Sequence, residues 1–288
     1  MQLPYLTEHA ITDFIQAALR EDIGAGDHSS LASIGPSHTS AARLIIKSPG
    51  ILAGVAMAQK IFRAVDPQLI VETLKEDGAK VVAGDLGLIV KGKARSILGA
   101  ERLVLNCMQR MSGIATYTDY LNSLISDSAA KLLDTRKTTP NFRIAEKWAV
   151  AIGGGTNHRF GLYDMIMLKD NHIDFAGGIK PAIEKTVKYL SNQNLELKIE
   201  IETRNLQEVS EVHSTGQVHR NMLDNLRVPD LSKAVDLIDG KYETEASGGI
   251  TEDTISQVAK TGVDFISVGA LTHSVRSLDI SLKAIPVG

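Results

Sequence analysis

The feature that most constrains this chain is a regular alternation of short apolar strands and amphipathic helices between residues 131 and 275. Strands are predicted at 131–134, 164–168, 197–202, 221–224, 242–246 and 264–268, and helices near 140–152, 178–190, 205–214, 228–238 and 251–260. Such alternation is typical of parallel strands joined by right-handed crossovers. Because six strands are counted where a closed (β/α) barrel has eight, we predict an incomplete barrel.

The first 130 residues follow a different pattern. A helix at 7–20 precedes the segment EDIGAGDHSS, which fits no calcium-loop signature and is predicted to be a solvated linker. Short runs at 41–47, 50–55, 69–75, 80–82 and 86–91, with a helix at 57–65, predict an antiparallel sheet. The longest helical pattern, 100–126, is interrupted at Gly113. We therefore expect an N-terminal α/β domain at 1–112 and a barrel domain at 113–275.

Bulk composition is that of an ordinary globular protein, with 43% hydrophobic and 23% charged residues. The formal net charge of −3 gives no electrostatic reason to expect nucleic acid or an anionic membrane as a partner. The single cysteine, Cys107, lies in an apolar helical pattern and is expected to be a buried thiol. With no signal-like N-terminus and no apolar run long enough to span a bilayer, we expect a cytoplasmic protein.

Chemistry-bearing residues follow the predicted barrel strands one after another. Catalytic residues of such barrels come from the carboxyl ends of the strands. Glycines there let backbone N–H groups approach a phosphate. The residues in chain order are Thr135, Arg136 and Lys137, then Lys169, then Glu202, then Asp224, then Ser247, Gly248 and Gly249, and finally Gly269 and Ala270.

Cations come first in this series, acids in the middle and glycines last. Arg136, Lys137, Arg159 and Lys169, with His158, could surround a small polyanion. Glu202 and Asp224 could hold Mg²⁺, which favours one or two carboxylates plus substrate phosphates, or could instead bind sugar hydroxyls. The set fits a phosphorylated sugar donor, an anionic acceptor and Mg²⁺.

Structural alternatives remain open for most of these residues. His158 could be a buried structural histidine, and Lys169 an ordinary surface lysine. Glu200 shares a strand face with Glu202 but could pair with a helix lysine. Asp224 and Asn225 could serve only as turn residues, and Arg102 and Arg110 could be solvated helix arginines.

Long motifs make the chain resemble the decarboxylating quinolinate phosphoribosyltransferases. They are DTRKTTPNFRIAEKWAV, GGGTNHRFGLYDMIMLKDNHI, IEIE, LDN, EASGGI and SVGALTHS, with REDIGAGD and ERLVLNCMQRMSGIAT nearer the N-terminus. The departures are Asn141, where glycine is expected, and Ser29 and Ser30, where threonines are common. The resemblance implies an incomplete α/β barrel with an N-terminal α/β sandwich domain that residues 276–288 complete. It also implies a homodimer, or a higher oligomer of dimers, with active sites at the subunit interface.

The reaction that the resemblance implies belongs to de novo NAD biosynthesis. It joins quinolinate to 5-phosphoribosyl-1-pyrophosphate and yields nicotinate mononucleotide, pyrophosphate and carbon dioxide. Arg136, His158 and Arg159 would hold the two carboxylates of quinolinate, and Arg102 would reach in from the neighbouring subunit. Lys137 and Lys169 would meet the carboxylates or the pyrophosphate, and Glu202 and Asp224 the Mg²⁺ or ribose hydroxyls. The loops at Ser247–Gly249 and Gly269–Ala270 would cradle the 5-phosphate.

Two other functions remain as alternatives. A Schiff-base aldolase would use Lys169 as the lysine that ends a barrel strand. A catalytically silent phosphate-binding protein could use the same scaffold, although it would have no need of a clamp for two carboxylates.

Overall fold

The structure is a computed structural model that describes residues 3–285, so residues 286–288 of the expected C-terminal segment and residues 1–2 lie outside the described part. The chain forms two compact units. Unit 1 comprises Met1–Asp119, Lys137–Gly154 and Ala270–Gly288, and unit 2 comprises Tyr120–Arg136 and Gly155–Gly269.

The elements follow one another in chain order. The first are α1 (Glu8–Ile23), α2 (His28–Ser33), β1 (Thr39–Ile46), β2 (Gly50–Ile51), α3 (Val55–Val65), β3 (Ile70–Thr73), β4 (Lys80–Val81), β5 (Leu86–Lys93) and α4 (Ala94–Leu124). Then come β6 (Lys131–Leu133), α5 (Arg143–Ile152), β7 (Ile166–Leu168), α6 (Asp170–Ala176), α7 (Ile179–Gln193), β8 (Ile199–Thr203), α8 (Leu206–Thr215), β9 (Arg220–Asp224), α9 (Val228–Ile238), β10 (Glu243–Ser247), α10 (Glu252–Ala259), β11 (Phe265–Ser267), α11 (Ala270–His273) and β12 (Ile280–Ile285).

Unit 1 is built on a four-stranded antiparallel sheet in the order β12-β1-β5-β3. The predicted antiparallel sheet is therefore confirmed, and the last strand, β12, pairs with β1 along its length. Apolar side chains that alternate along β1 and β5, such as Leu44 and Leu88, are fully buried. The buried face of α3 adds Ile61 and Phe62. Each such side chain contributes roughly 1.5–3 kcal/mol on burial, which makes this face the core of the unit.

Helix α4 is continuous through Gly113, so the predicted interruption is wrong. The glycine serves a close approach instead: a Cβ at position 113 would lie 2.2 Å from the carbonyl oxygen of Arg276. The segment that leads to β12 thus packs directly on the helix backbone. Cys107 lies on the same helix and is buried, as expected.

Unit 2 contains a six-stranded parallel sheet in the order β6-β11-β10-β9-β8-β7. The predicted parallel strands and the incomplete barrel are confirmed, because β6 and β7 lie at opposite ends of this order. On the other side of β6, Leu133 forms an isolated parallel bridge with Thr156. All six carboxyl ends of the strands therefore lie at one edge of the sheet, which positions the residues that follow them.

Several predicted elements need correction. Helix α5 begins at Arg143 rather than at 140, because Thr139 bonds to Glu146 instead of capping the helix. The expected linker contains the short helix α2, which Asp27 caps through the backbone N–H of Ser30. The run predicted as a strand at 50–55 is a strand only at its start, and α3 begins at Val55. In the described part of the chain, no helix has the length and apolar character that crossing a bilayer requires.

Candidate active site

The strand ends of unit 2 bring the expected site residues into one row. Along the sheet from β6 to β7 the row contains Arg136, Gly269, the Ser247–Gly249 loop, Asp224, Glu202 and Lys169. Strand register makes some of them direct neighbours, because Ser247 pairs with Asp224. The acids and the glycine loop thus lie side by side, with cations at the two outer strands.

Lys169, Glu202 and Asp224 form the end of the row near β7. Nζ of Lys169 lies 3.6 Å from Oε2 of Glu202. Burial raises the pKa of Glu202; Lys169 opposes this shift, and the negative charge of Asp224 adds to it. Two carboxylates that repel each other beside one lysine are suited to receive a cation or a set of hydroxyl donors.

The Ser247–Gly249 loop provides backbone N–H groups at the middle of the row. Gly248 and Gly249 both have positive φ, 93° and 61°. The turn then leads into α10, whose first turn is capped by Thr251. A left-handed turn before a helix N-terminus is typical of phosphate sites, because the N–H groups and the helix dipole favour an anion.

Two arginines of unit 2, Arg136 and Arg159, carry guanidinium charges that influence each other. Arg159 donates from Nη1 to the carbonyl oxygen of Met165 at 3.1 Å, just before β7. Burial lowers the pKa of Arg159, and the positive charge of Arg136, which follows β6, lowers it further. An anion with two carboxylates would neutralise both guanidinium charges.

His158 immediately precedes Arg159 in the chain and is buried. Its Nε2 is 2.9 Å from Oε2 of Glu200 and 3.4 Å from Oε2 of Glu245, and its Nδ1 accepts a hydrogen bond from the backbone N–H of Arg159 at 2.7 Å. Both ring nitrogens are thus engaged inside unit 2. Direct binding of a substrate carboxylate by His158 stays a prediction, and binding through Nε2 would have to displace these contacts.

The hydrogen bond at Nδ1 decides which ring nitrogen of His158 carries the proton. Burial alone would lower the pKa of His158, but Glu200 and Glu245 outweigh it and raise that pKa to about 9. Burial and the charge of Glu245 raise the pKa of Glu200 to about 7. Because Nδ1 of His158 accepts from the amide of Arg159, the ring proton is carried by Nε2, which faces the carboxylates of Glu200 and Glu245.

Arg220 completes the buried charge cluster. Its guanidinium donates to Oε2 of Glu245 at 3.0 Å and to Oε2 of Glu243 at 3.0 Å, and it stacks over the ring of Phe265 at 4.1 Å. The alternative that Glu200 pairs with a helix lysine is wrong, because Glu200 is fully buried and its Oε2 lies 2.9 Å from Nε2 of His158. A buried pair of glutamates is tolerated here because a histidine and an arginine compensate it.

Asp134 fixes the loop that carries His158 and Arg159. Its carboxylate accepts from the backbone N–H of His158 at 2.8 Å and from the side-chain amide of Asn157 at 2.7 Å. Fully buried at the end of β6, it ties the loop to that strand. The sequence shows Asp134 only as the first letter of a motif, so its structural role was missed.

The remaining expected residues, Arg102, Lys137 and Ala270, belong to unit 1, and their roles stay predictions. Arg102 is exposed on α4. The carbonyl oxygen of Lys137 accepts from the hydroxyl of Thr272 at 2.7 Å, on α11. Thr135, at the end of β6 in unit 2, is half-buried.

Arg110 is not a solvated helix arginine, so that alternative is wrong. It donates to Oε1 of Glu146 at 2.9 Å from Nη2, to the carbonyl oxygen of Val275 at 3.0 Å from Nη1, and to the carbonyl oxygen of Thr272. Glu146 is fully buried and also accepts from the backbone N–H of Thr139 at 2.9 Å. This ion pair thus holds both the loop after Lys137 and the segment after α11.

Comparison with known proteins identifies the family. The chain matches the N-terminal domain model of quinolinate phosphoribosyl transferase at residues 27–112 and the C-terminal domain model at residues 114–283. It is 49% identical over 286 residues to the chloroplastic nicotinate-nucleotide pyrophosphorylase (carboxylating) of Arabidopsis thaliana, covering 93% of this chain and 81% of that protein.

Solved structures agree with these sequence matches. NadC from Streptococcus pyogenes superposes with a TM-score of 0.90 at 39% identity, covering 98% of this chain and 99% of that one. The nicotinate-nucleotide pyrophosphorylase from Francisella tularensis gives a TM-score of 0.89 at 40% identity, covering 99% and 98%. Two family models that together span most of the chain, a relative at 49% identity and the matching fold lead to one conclusion: the chain belongs to the quinolinate phosphoribosyltransferase family.

Proposed function

We propose that this chain transfers the phosphoribosyl group of 5-phosphoribosyl-1-pyrophosphate to quinolinate with decarboxylation, in de novo NAD biosynthesis. The products are nicotinate mononucleotide, pyrophosphate and carbon dioxide. The observation that carries the proposal is the row of strand ends: Arg136 follows β6, the Ser247–Gly249 loop lies beside Asp224, and Lys169 lies 3.6 Å from Glu202. One end suits a dicarboxylate acceptor, and the other suits a phosphorylated sugar donor.

The acceptor is held by the two arginines. Each planar guanidinium can form two parallel hydrogen bonds to a carboxylate. A hydrogen bond to a charged group contributes about 1.5–3 kcal/mol, so that loss of one arginine should weaken acceptor binding by one or two orders of magnitude. Asp134 and the His158 cluster keep the Arg159 loop in place, which limits the entropy lost when the acceptor binds.

The donor is held at the glycine loop and the two acids. The N–H groups of Ser247–Gly249 would receive the 5-phosphate, and Gly269 would line the next strand end. The donor set fits Mg²⁺, because Glu202 and Asp224 present two carboxylates from neighbouring strands beside the place where phosphates would lie. Held there, Mg²⁺ would neutralise charge on the pyrophosphate.

The reaction needs no covalent intermediate with the enzyme, because the bonds broken and formed balance between the two substrates. The bond from the anomeric carbon to pyrophosphate breaks, and the pyridine nitrogen forms the new bond to that carbon. Lys169 stabilises charge that develops on the leaving group, while Glu202 orients its ammonium. The quaternised ring then accepts the electron pair of the C–CO₂ bond, carbon dioxide departs, and a proton takes its place on the ring.

A matched pair of lysine variants tests the donor side. Lys169→Ala should abolish nicotinate mononucleotide formation, because it removes the cation at the leaving group. Lys198→Ala is the control, since Nζ of Lys198 also lies 3.6 Å from a glutamate oxygen, on Glu243, with a comparably exposed side chain. Equal activity of the two variants, with both folded, would contradict the assigned role of Lys169.

The acceptor side is tested by Arg136→Ala, with Arg227→Ala as control. Arg227 is on the same unit, has 85% of its side chain exposed and pairs only with nearby Asp230 among the described residues. We expect Arg136→Ala to weaken quinolinate binding by one or two orders of magnitude with folding intact, and Arg227→Ala to behave as wild type. Unfolding of Arg136→Ala alone would make this arginine structural.

We further propose a homodimer, or an oligomer of dimers, with Arg102 contributed by the neighbouring subunit. Mixing Arg102→Ala subunits with Lys169→Ala subunits should then restore part of the activity, because some mixed sites contain both native residues. A mixture that stays inactive after verified subunit exchange would contradict sharing of the site between subunits.

The cytoplasm is our proposed compartment. Some plant relatives are named as chloroplastic and others as mitochondrial. Fractionation of cells that express the tagged chain tests this proposal.

The Schiff-base alternative is disfavoured by the surroundings of Lys169. Lysines that form Schiff bases are activated by apolar burial or by a neighbouring cation. The side chain of Lys169 is 49% exposed and lies beside a carboxylate. Borohydride trapping with carbonyl substrates should therefore give no adduct at Lys169, and a stable adduct there would overturn the transferase proposal.

A further inference from the structure

Asn225 connects the two parts of the site proposed to bind the donor. It follows Asp224 at the end of β9, and its backbone has a φ of 55°, in the left-handed region. Its backbone N–H donates to the carbonyl oxygen of Ser247 at 2.8 Å, which extends the β9–β10 pairing by one residue. Its side-chain amide donates from Nδ2 to Oδ2 of Asp224 at 2.6 Å.

The same carboxamide lies against the glycine loop. A Cβ built on Gly248 would be 2.2 Å from Oδ1 and 2.5 Å from Cγ of Asn225. The orientation of the amide is determined by chemistry, because only its nitrogen can donate to a carboxylate. One side chain therefore sets both the direction of the Asp224 carboxylate and the position of the Gly248 backbone.

We propose that Asn225 is a positioning residue for the phosphoribosyl donor, acting through Asp224 and Gly248 rather than by contact with the reacting atoms. The inference rests on the proposed function. By occupying Oδ2, the amide directs Asp224 so that Oδ1, which accepts no hydrogen bond from the described residues, is the oxygen left for the donor or its cation. The carboxamide also packs against the backbone of Gly248, in the turn proposed to bind the phosphate.

A purely local role predicts something different. Asparagine is the commonest residue other than glycine in left-handed turns, so Asn225 could serve only to form the turn. Glycine adopts the same φ without strain. Asn225→Gly thus keeps the turn and removes only the carboxamide, which separates the two roles.

The experiment measures KM for each substrate in the full-length protein. We expect Asn225→Gly to raise KM for 5-phosphoribosyl-1-pyrophosphate about tenfold, because a tenfold change corresponds to the loss of about one hydrogen bond to a charged group. KM for quinolinate should change less than about twofold. Asn194→Gly is the matched control, because Asn194 also has a left-handed φ, 51°, at the end of α7. It should leave both KM values unchanged.

A second variant keeps the test decisive if Asn225→Gly alters stability. Gly248→Ala places a methyl group against the Asn225 carboxamide and should impair donor binding; in the Asn225→Gly background the additional loss should be smaller. Equal losses in both backgrounds, or an unchanged donor KM in Asn225→Gly, would overturn the proposal. An inactive wild-type protein would instead defeat the proposed function, so the two failures are distinguishable.

Discussion

Replacing Arg110 by methionine should destabilise unit 1 substantially. The change removes the guanidinium that donates to Glu146 and to the carbonyls of Thr272 and Val275, but keeps most of the side-chain volume. Glu146 would then be a fully buried carboxylate with hydrogen bonds only from Thr139 among the described residues. Removing one partner of a buried ion pair costs about 3–5 kcal/mol, because the other charge stays buried without compensation.

The structure favours the low end of this range. The side chain of Arg110 is 23% exposed, so water can enter beside the vacated position and solvate part of the charge. We therefore expect a loss of about 3 kcal/mol for Arg110→Met. Glu146→Gln should cost less, about 1–2 kcal/mol, because its amide oxygen can still accept from Thr139. The double variant should lose less than the sum, which reveals the coupling between the two side chains.

Urea unfolding followed by tryptophan fluorescence suits this measurement. The single tryptophan, Trp148, lies on α5 two residues after Glu146 and reports on unit 1. Lys60→Met is the control: Lys60 and Glu8 are closer, at 2.6 Å, but Glu8 is 83% exposed, so the loss should be at most about 1 kcal/mol. A loss for Arg110→Met no larger than that for Lys60→Met would refute the argument that burial, not distance, determines the strength of this pair.

Three further predictions follow from single positions. Burial raises the pKa of Cys107 to about 12, so Ellman's reagent at pH 8 should modify it only after unfolding; rapid reaction of the folded protein would contradict the burial. Asn141 has a φ of 61°, so Asn141→Ala should cost about 1 kcal/mol in urea unfolding while Asn141→Gly costs nothing, and equal effects would show that the turn tolerates any residue. Gly113→Ala should lower stability by about 1–3 kcal/mol, since its methyl group would collide with the Arg276 carbonyl, and an unchanged thermal midpoint would argue against that close approach.

The sequence predicts the parallel sheet well because strand and helix periodicity are local properties. The six strands of unit 2 lie within a few residues of their expected limits, and the residues after them meet at one edge as parallel strands require. Asn141 is also instructive. The sequence shows it as a departure from the family's glycine, and its left-handed φ gives the reason: asparagine is the substitute that this conformation penalises least.

The buried charges could not be predicted, because their partners are distant in sequence. Nothing near Arg110 indicates that Glu146, 36 residues later, lies beside it. Glu245 and Glu200 are likewise brought to His158 only by the order of the strands. The predicted start of α5 was wrong for a related reason. Thr139 has the side chain of a helix cap, but its hydroxyl donates to Glu146 instead. Local patterns define elements, whereas long-range electrostatics determines which polar residues are structural.

The central claim is that one site joins a dicarboxylate acceptor to a phosphoribosyl donor and then releases carbon dioxide. The most direct measurement uses quinolinate labelled in the carboxylate next to the ring nitrogen and follows labelled CO₂, pyrophosphate and nicotinate mononucleotide together, with Mg²⁺ present. We predict that all three form in equal amounts and only when both substrates are present. Labelled CO₂ without the donor, or no nicotinate mononucleotide from folded protein, would contradict the account.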